Sequence, residues 1–459
     1  MLIKHIFINK NNVQNYIKRC FSSRNIIKLK ERGMYQDIFP DISVGEITDL
    51  LNAKPQTVYA GFDPTADSLH VGNLLVLINL LHWQRGGHNV IALLGGATGN
   101  IGDPSGRTTE RDELQSAFID ENVKGIKRNI EIIFENHRKY FWKDNEGNLP
   151  NVRVVNNAEW YDKMNPVYLI GKIGRHLRMG TLLSRTSVET RLASPNGMSF
   201  TEFSYQLFQA YDWLHLNQNY GCRFQIGGND QMGNIMSGHE LIRKVRKEGV
   251  YGLTLPLITT EMGDKFGKSA GNAVWLSETK TSPFIFYQFW KRLSDIDAEK
   301  FLKLFTFESL GFIKDLMRQH REKPELHLAQ KYLAEQITLL VHGEEGLKTA
   351  EIATKALYDK DISALGNMKA EEVVRLFDKA NLVQILPEPG QSVLDLALKA
   401  GCFLKSNDAL RIISTGGFYI NQQKSSNPDE VLNPSVHRLS NNISLLRVGK
   451  KNYYVVKWL

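Results

Sequence analysis

The chain has 459 residues, 42% of them apolar and 23% charged, with a formal net charge of +8; such a length suggests about three domains, each with ample core. Its three cysteines, Cys20, Cys222 and Cys402, lie far apart, which excludes a disulfide framework and a paired-cysteine zinc site. The strongest apolar run, Leu74–Trp83, is too short to span a bilayer, so no membrane association is expected.

The positive charge gathers at the two ends. Residues 1–30 hold seven Lys/Arg and no Asp or Glu, mixed with Ile, Phe and Leu. That composition matches a mitochondrial transit peptide, with Arg19-Cys20-Phe21-Ser22-Ser23 suited to processing; the plainer alternative is a basic tail. Residues 1–30 are therefore set apart from the fold. Residues 391–459 carry nine Lys/Arg against four Asp/Glu, and 31–390 is net acidic. The two cysteines left after processing suit a reducing compartment.

The first structural unit is strand, turn, helix. Thr57–Gly61 reads as the end of a buried strand, Asp63-Pro64-Thr65 as turn chemistry, and Leu74–Leu81 as an apolar helix. The mouth of that helix, with His70 and Gly72, is expected to offer free N–H groups and a dipole to an anion, with His70 and Thr65 as added donors. Asn89–Leu94, closed by Gly95-Gly96, is a parallel strand buried on both faces. Gly95, Gly99 and Gly102 do not have dinucleotide-fingerprint spacing, and Asp103-Pro104 interrupts them; the run reads as a close-approach loop carrying Asp103. Asp112–Tyr140 is amphipathic and helical, as one helix or as two broken near Gly125, and Val152–Val155 is the next strand. Residues 156–200 are mixed helices whose apolar side chains suit either a core or an interface. Phe203–Leu216 reads as helix, Arg223–Ile226 as strand, Asn229–Arg246 as helix and Leu253–Ile258 as strand. Strands alternating with helices imply a parallel α/β sheet with ligands at the strands' carboxyl ends.

Downstream, strand signals stop between Ser294 and Leu386. Glu325–Leu340 and Glu344–Leu357 are amphipathic helices parted at Gly343, and Pro387–Gly390 reads as a linker. Short helices Val393–Ala400 and Asp408–Thr415 follow, then strand Phe418–Ile420 and a hairpin of Ser444–Val448 with Tyr453–Val456. A basic face with tyrosines suits phosphate contacts, although a solvated surface has the same composition.

Two motifs far apart in the chain give these elements a chemistry. His70-Val71-Gly72-Asn73 early, and Lys265-Phe266-Gly267-Lys268-Ser269 late, resemble the HIGH and KMSKS pair of class I aminoacyl-tRNA synthetases. Gly95–Gly106, Phe203–Asp212 and Gln225–Gln231 sharpen this to a resemblance, over about residues 35–459, to the tyrosyl-tRNA synthetases of bacterial and mitochondrial type. The resemblance implies a Rossmann-like α/β parallel-sheet catalytic domain over 31–293, with a connective insertion near 156–200 that builds a homodimer interface. A helical anticodon-binding domain over 294–386 and a small α+β S4-like RNA-binding domain over 391–459 would follow it. The implied reaction joins tyrosine to ATP as tyrosyl-adenylate plus pyrophosphate, then transfers the tyrosine to the 3′ end of tRNA(Tyr) in the mitochondrial matrix.

The resemblance also assigns residues. A carboxylate attacking the α-phosphate is already an anion and needs no general base, so the site must supply alignment and charge stabilisation. Thr65 and His70 would hold the γ-phosphate end, and Lys265, Lys268 and Ser269 would close over it on a loop loosened by Gly267. Arg107 and Arg111 match pyrophosphate-binding positions, Asp63 lies near the adenylate, and Gly72 and Asn73 belong to the ATP site. Asp230, beside Gly228, would accept the ribose hydroxyls. Tyr59 and Asp212 would read the phenol hydroxyl, Asp103, Tyr205 and Gln209 the ammonium group, and Gln225 and Gln231 further parts of tyrosine. Tyr205, Gln209 and Asp212 fall at i, i+4 and i+7, so one helix face can present all three. Magnesium would accompany ATP as part of the substrate; no protein-held metal is expected.

Three departures stand out: Asn73 for the last His of HIGH, Phe266-Gly267 for Met-Ser of KMSKS, and Met232 where bacterial relatives often carry Trp. A tryptophanyl enzyme is the nearest rival, opposed by the hydroxyl-reading pair. A non-catalytic RNA-binding or intron-splicing protein on the same scaffold is the other, opposed by Thr65, His70, Lys265 and Lys268. A second RNA role beside catalysis is compatible with the same residues.

Overall fold

The computed structural model describes residues 24–41, 44–107, 109–111, 113, 115–142, 149–259, 268–269, 272–358, 362, 365–366, 373, 381–449 and 452–459. The chain forms two compact units. One comprises residues up to Leu276 with Leu293–Leu333; the other comprises Ser277–Arg292 with Ala334–Leu459.

The first unit is built on a six-stranded sheet. Its strands are β1 (Ile38–Phe39), β2 (Thr57–Phe62), β3 (Asn89–Leu94), β4 (Arg153–Asn156), β5 (Cys222–Gly228) and β6 (Tyr251–Leu255). They lie in the order β1-β6-β5-β2-β3-β4, all parallel except β1, which runs antiparallel along the β6 edge. Continuous apolar runs such as Val90–Leu94 are buried because helices cover both faces of a parallel sheet. The main helices are α1 (Val44–Ala53), α2 (Val71–Arg85), α3 (Ser116–Asn136), α4 (Phe200–Tyr220) and α5 (Met232–Arg246). From β2 the chain builds outward to β3 and β4, then returns to the other side with β5. The carboxyl ends of β2 and β5 are thus the topological switch point, where open α/β sheets take their ligands.

Several elements differ from the sequence reading. Helix α3 is continuous through Gly125. A Cβ there would overlap the carbonyl of Asp67, so the glycine serves close approach to the β2–α2 turn and not a helix break. Helix α4 runs further at both ends: Ser199 caps it by accepting from the Glu202 N–H, and Gly221, at φ 60°, ends it. β6 begins and ends earlier than Leu253–Ile258.

The largest correction concerns the residues set apart as leader. Ile26–Arg32 form a 3-10 helix with Ile26 and Ile27 buried. His88 Nε2 donates to the Arg24 carbonyl at 2.8 Å, while its Nδ1 accepts from the Gln56 N–H. Arg32 spreads its guanidinium over the carbonyls of Lys303, Glu308 and Thr306 at the carboxyl end of helix Asp295–Phe305. Leu293–Leu333 belongs to the same compact unit as these residues, whereas the reading from sequence opened a separate helical domain at 294.

The second unit has a five-stranded sheet in the order Gln423–Ser425, Phe418–Ile420, Ile443–Val448, Asn452–Trp458, Asn381–Ile385. The last of these is a strand inside the stretch read as strand-free, and it pairs parallel with Asn452–Trp458. Period-2 alternation splits the hairpin between two cores. Leu446, Val456 and Trp458 pack with Val393, Leu396 and Ile413 of the short helices, while Ile443, Leu445 and Val455 pack with Phe284 and Ala353. Gly343, at φ 69° and ψ −172°, breaks helix Leu328–Tyr358 where expected. No helix among the described residues is long and apolar enough to cross a membrane.

Candidate active site

Tyr59 on β2 and Gln225 on β5 are register partners at the switch point. Both are buried, and the Tyr59 hydroxyl and Gln225 Oε1 have no hydrogen-bond partner among the described residues. Orphaned polar atoms at such depth are costly, which favours a ligand that pairs them. Asp212, from α4, faces the same region. Its Oδ2 accepts from Asn157 Nδ2 at 3.1 Å and its Oδ1 from Trp160 Nε1 at 3.0 Å. Burial raises the Asp212 carboxyl from its ordinary 3.8 to about 7 against those donors, and the negative field of Asp212 adds to the burial that raises the Tyr59 hydroxyl.

A polar chain links this pocket to the next. Asn157 Nδ2 also donates to Thr98 Oγ1, which donates to Asp63 Oδ1 at 2.8 Å, and Tyr205 donates to Asp63 Oδ2 at 2.7 Å. Asn157 sits just beyond β4, and its side-chain oxygen accepts from the Ala97 N–H, so one amide holds the glycine loop and aims at Asp212. Burial pushes the Asp63 carboxyl up to about 6, with Asp103 adding to the rise. Asp103 accepts from Gln231 Nε2 at 2.6 Å and from the Ser105 N–H at 2.9 Å. Asn234 Nδ2 joins Gln231 Oε1 to this group. Tyr205 thus feels Asp63, Asp103 and Asp212 together, a concentration of negative charge suited to an ammonium ion. Gln209, one turn from Tyr205, is half-buried.

On the phosphate side, the structure corrects the expectation of free N–H groups at the start of α2. The Val71 N–H bonds to Val274 O, Gly72 to His70 Nδ1, and Asn73 to His70 O. Asn73 Oδ1 returns an acceptor to the His70 N–H, closing a capping box. Capping by Nδ1 leaves the ring proton on Nε2, so any anion there meets an imidazole donor in place of a bare helix end. A Cβ on Gly72 would lie 2.7 Å from the His70 ring, which explains glycine at that position. Thr65 is exposed, its N–H given to Asp63 O. Asp230 lies against Gly228 and Gly106: a Cβ on Gly228 would crowd its carboxylate, while one on Gly106 would meet it at ordinary contact distance. Arg111 Nε reaches the Asp103 carbonyl at 3.4 Å, and Arg107 is exposed on the same loop.

Lys265 lies outside the described residues. Lys268 and Ser269 are described as backbone only, paired antiparallel with Asn272–Ala273. The segment that follows is joined to the His70 turn: Trp275 forms a β-bridge with His70, and Leu276 N donates to Leu69 O at 2.8 Å. The exit of the lysine loop therefore runs beside His70, two hundred residues away in sequence. Among the described residues no group of three or more His, Cys, Asp or Glu is placed to hold a metal ion.

Sequence reasoning did not single out Asn157, Trp160, Thr98 or Asn234. Thr98 lies inside the Gly95–Gly106 run, where only Asp103 was given a role; the other three stand outside a recognisable pattern, and only the fold brings their donors to the three carboxylates.

The family model described as tRNA synthetases class I (W and Y) matches residues 51–359. A Drosophila melanogaster protein named tyrosine–tRNA ligase, mitochondrial, is 54% identical over 97% of each chain. Its Homo sapiens counterpart of the same name is 49% identical, covering 94% of this chain and 91% of its own. Among solved structures, a C-terminally truncated mitochondrial tyrosyl-tRNA synthetase of Aspergillus nidulans matches 75% of this chain and 97% of its own, at 31% identity and a TM-score of 0.67.

Proposed function

The chain belongs to the class I tRNA synthetases of the tryptophan and tyrosine family, and from that premise we propose that it is the tyrosine–tRNA ligase of mitochondria. It activates tyrosine with ATP, releasing pyrophosphate, and transfers the tyrosyl group to tRNA(Tyr). The observation that carries tyrosine, and not tryptophan, is the pair at the switch point. The Tyr59 hydroxyl lacks a partner and the Asp212 carboxylate is held by two donors. A phenol can donate to the carboxylate and accept from Tyr59; an indole has no such hydroxyl.

The roles follow from the same positions. Asp103, Tyr205 and Gln209 take the ammonium end, and Asp63, bonded to Tyr205, lies beside the adenylate as the carboxylate of tyrosine is held in line with the α-phosphate. Gln225 and Gln231 complete the amino-acid pocket, and Asp230 with Gly228 takes the ribose. Thr65 and the His70 Nε2 donor meet the far phosphates, with Gly72 and Asn73 shaping that turn. Lys265, Lys268 and Ser269 supply positive charge and a hydroxyl to the same phosphates, Arg107 and Arg111 meet the departing pyrophosphate, and Mg2+ enters with ATP. The basic 391–459 region, with Arg447 over Tyr419 at 3.9 Å, takes RNA phosphates, and the helices before it take the anticodon. The relatives' names support a mitochondrial location; entry into the matrix, with the import signal within residues 1–30, is our reading of that stretch's basic, acid-free composition.

Pyrophosphate exchange run with each amino acid separately tests the reading: tyrosine alone should stimulate it, and stimulation by tryptophan and not tyrosine would overturn it. Lys268→Ala should sharply lower adenylate formation while sparing RNA binding; unchanged activation would remove the role given to that loop.

A further inference from the structure

His215 lies one turn beyond Asp212 on α4, at i+3, so the two side chains share a face of the helix. Both meet Trp160. Asp212 Oδ1 accepts the indole N–H at 3.0 Å, and the His215 imidazole lies parallel to the indole, 4.2 Å between centroids and 17° between planes. One helix therefore grips a single indole by its edge and by its face. Tyr161, whose hydroxyl donates to the Phe208 carbonyl at 2.8 Å, fills the space beside the ring.

We propose that His215 is a positioning residue for substrate selection: its stack on Trp160 fixes the indole so that its N–H stays on Asp212 and keeps that carboxylate an acceptor aimed at the substrate hydroxyl. The inference rests on the tyrosine-ligase reading and deepens it. An indole pinned only at its edge can swing about that hydrogen bond, and an off-line donor holds the carboxylate less well. The imidazole removes this freedom without touching the substrate. Its loss therefore changes how well a hydroxyl is read, leaving the phosphate side of the reaction intact. A residue of this kind carries no short-motif signature, since its effect is relayed through a side chain 55 positions upstream.

The measurement is pyrophosphate exchange by the full chain with tyrosine and with phenylalanine, each as kcat/KM, together with the KM for ATP. His215→Ala is expected to lower the tyrosine-to-phenylalanine ratio by about five- to tenfold, as befits loss of one aromatic contact. The KM for ATP should stay within about twofold, and His215→Phe, which restores a flat ring, should recover the ratio. Trp160→Phe, which removes the donor itself, should lower the ratio at least as far. An unchanged ratio in a folded His215→Ala protein overturns the inference, as does failure of His215→Phe to recover it. Should His215→Ala not fold, His215→Leu, with retained volume and no flat ring, carries the same expectation. Wild-type protein inert toward tyrosine would instead dispose of the ligase reading, so the two failures are distinct.

Discussion

Asp212 carries opposed demands. It has to be anionic to accept from a phenol, yet burial lifts its carboxyl to about 7. The tyrosine kcat/KM should therefore fall as the pH drops through about 7, because the free enzyme then holds a protonated Asp212. Asp212→Asn should remove that dependence and lower kcat/KM for tyrosine by about 10- to 100-fold, the worth of one charge-assisted hydrogen bond; exchange kinetics between pH 6 and 8.5 read both. Stability moves the other way. The folded-state value lies above the unfolded one, so the contribution of this group is fully present below about 4 and is lost as the pH rises through about 7. Asp212→Asn should thus melt higher than wild type at pH 8 without ligand. Those acids were legible in the sequence because each sits in a motif. Asn157 was not, because an amide immediately after a short strand resembles any other loop amide until β4 and the glycine loop are side by side, and Thr98, within the glycine-rich run, carried no mark beyond a small hydroxyl.

Elements were read well where a hydrophobic run fixed them and poorly where pairing partners were remote. Strands β2 and β3 announce themselves by unbroken apolar residues. Strand Asn381–Ile385 is short, follows no strand signal and gains its identity only from parallel pairing with Asn452–Trp458. The helix Ile26–Arg32 was hidden by the basic composition it shares with the residues before it, although Ile26 and Ile27 are buried. Protein beginning at residue 24 should accordingly be stable and active, while protein beginning at residue 34 should lose several degrees of melting temperature, having lost two buried isoleucines and the Arg32 bonds. Equal melting curves for the two would refute the packing role. Glycine at 125 makes a narrower test: Gly125→Ala forces the Asp67 carbonyl away, at a cost of about 1–3 kcal/mol, and should raise the KM for ATP because Asp67 belongs to the turn that leads into His70. An unchanged KM would separate helix packing from the nucleotide site.

At the scale of the molecule, the insertion leaves large apolar side chains in solvent: Val167 at 77%, Ile170 at 55% and Phe200 at 76% of full exposure. We propose that these side chains belong to an interaction surface whose partner is a second copy of the chain. Val167→Asp combined with Phe200→Asp should convert a dimer to monomer by sedimentation velocity; a wild-type monomer would exclude the interface. The division of the chain has a different reach. The first unit ends at Leu276 and resumes at Leu293, so the polypeptide leaves it, lays down Ser277–Arg292, and comes back before departing for good after Leu333. As the ribosome delivers the chain, the nucleotide-binding half stays incomplete until residue 333 has emerged, and the stretch 277–292 must then wait for partners still unsynthesised. Vectorial synthesis gives no order in which one half is finished before the other is begun, so the nascent protein depends on protection from aggregation for longer than two sequential domains would.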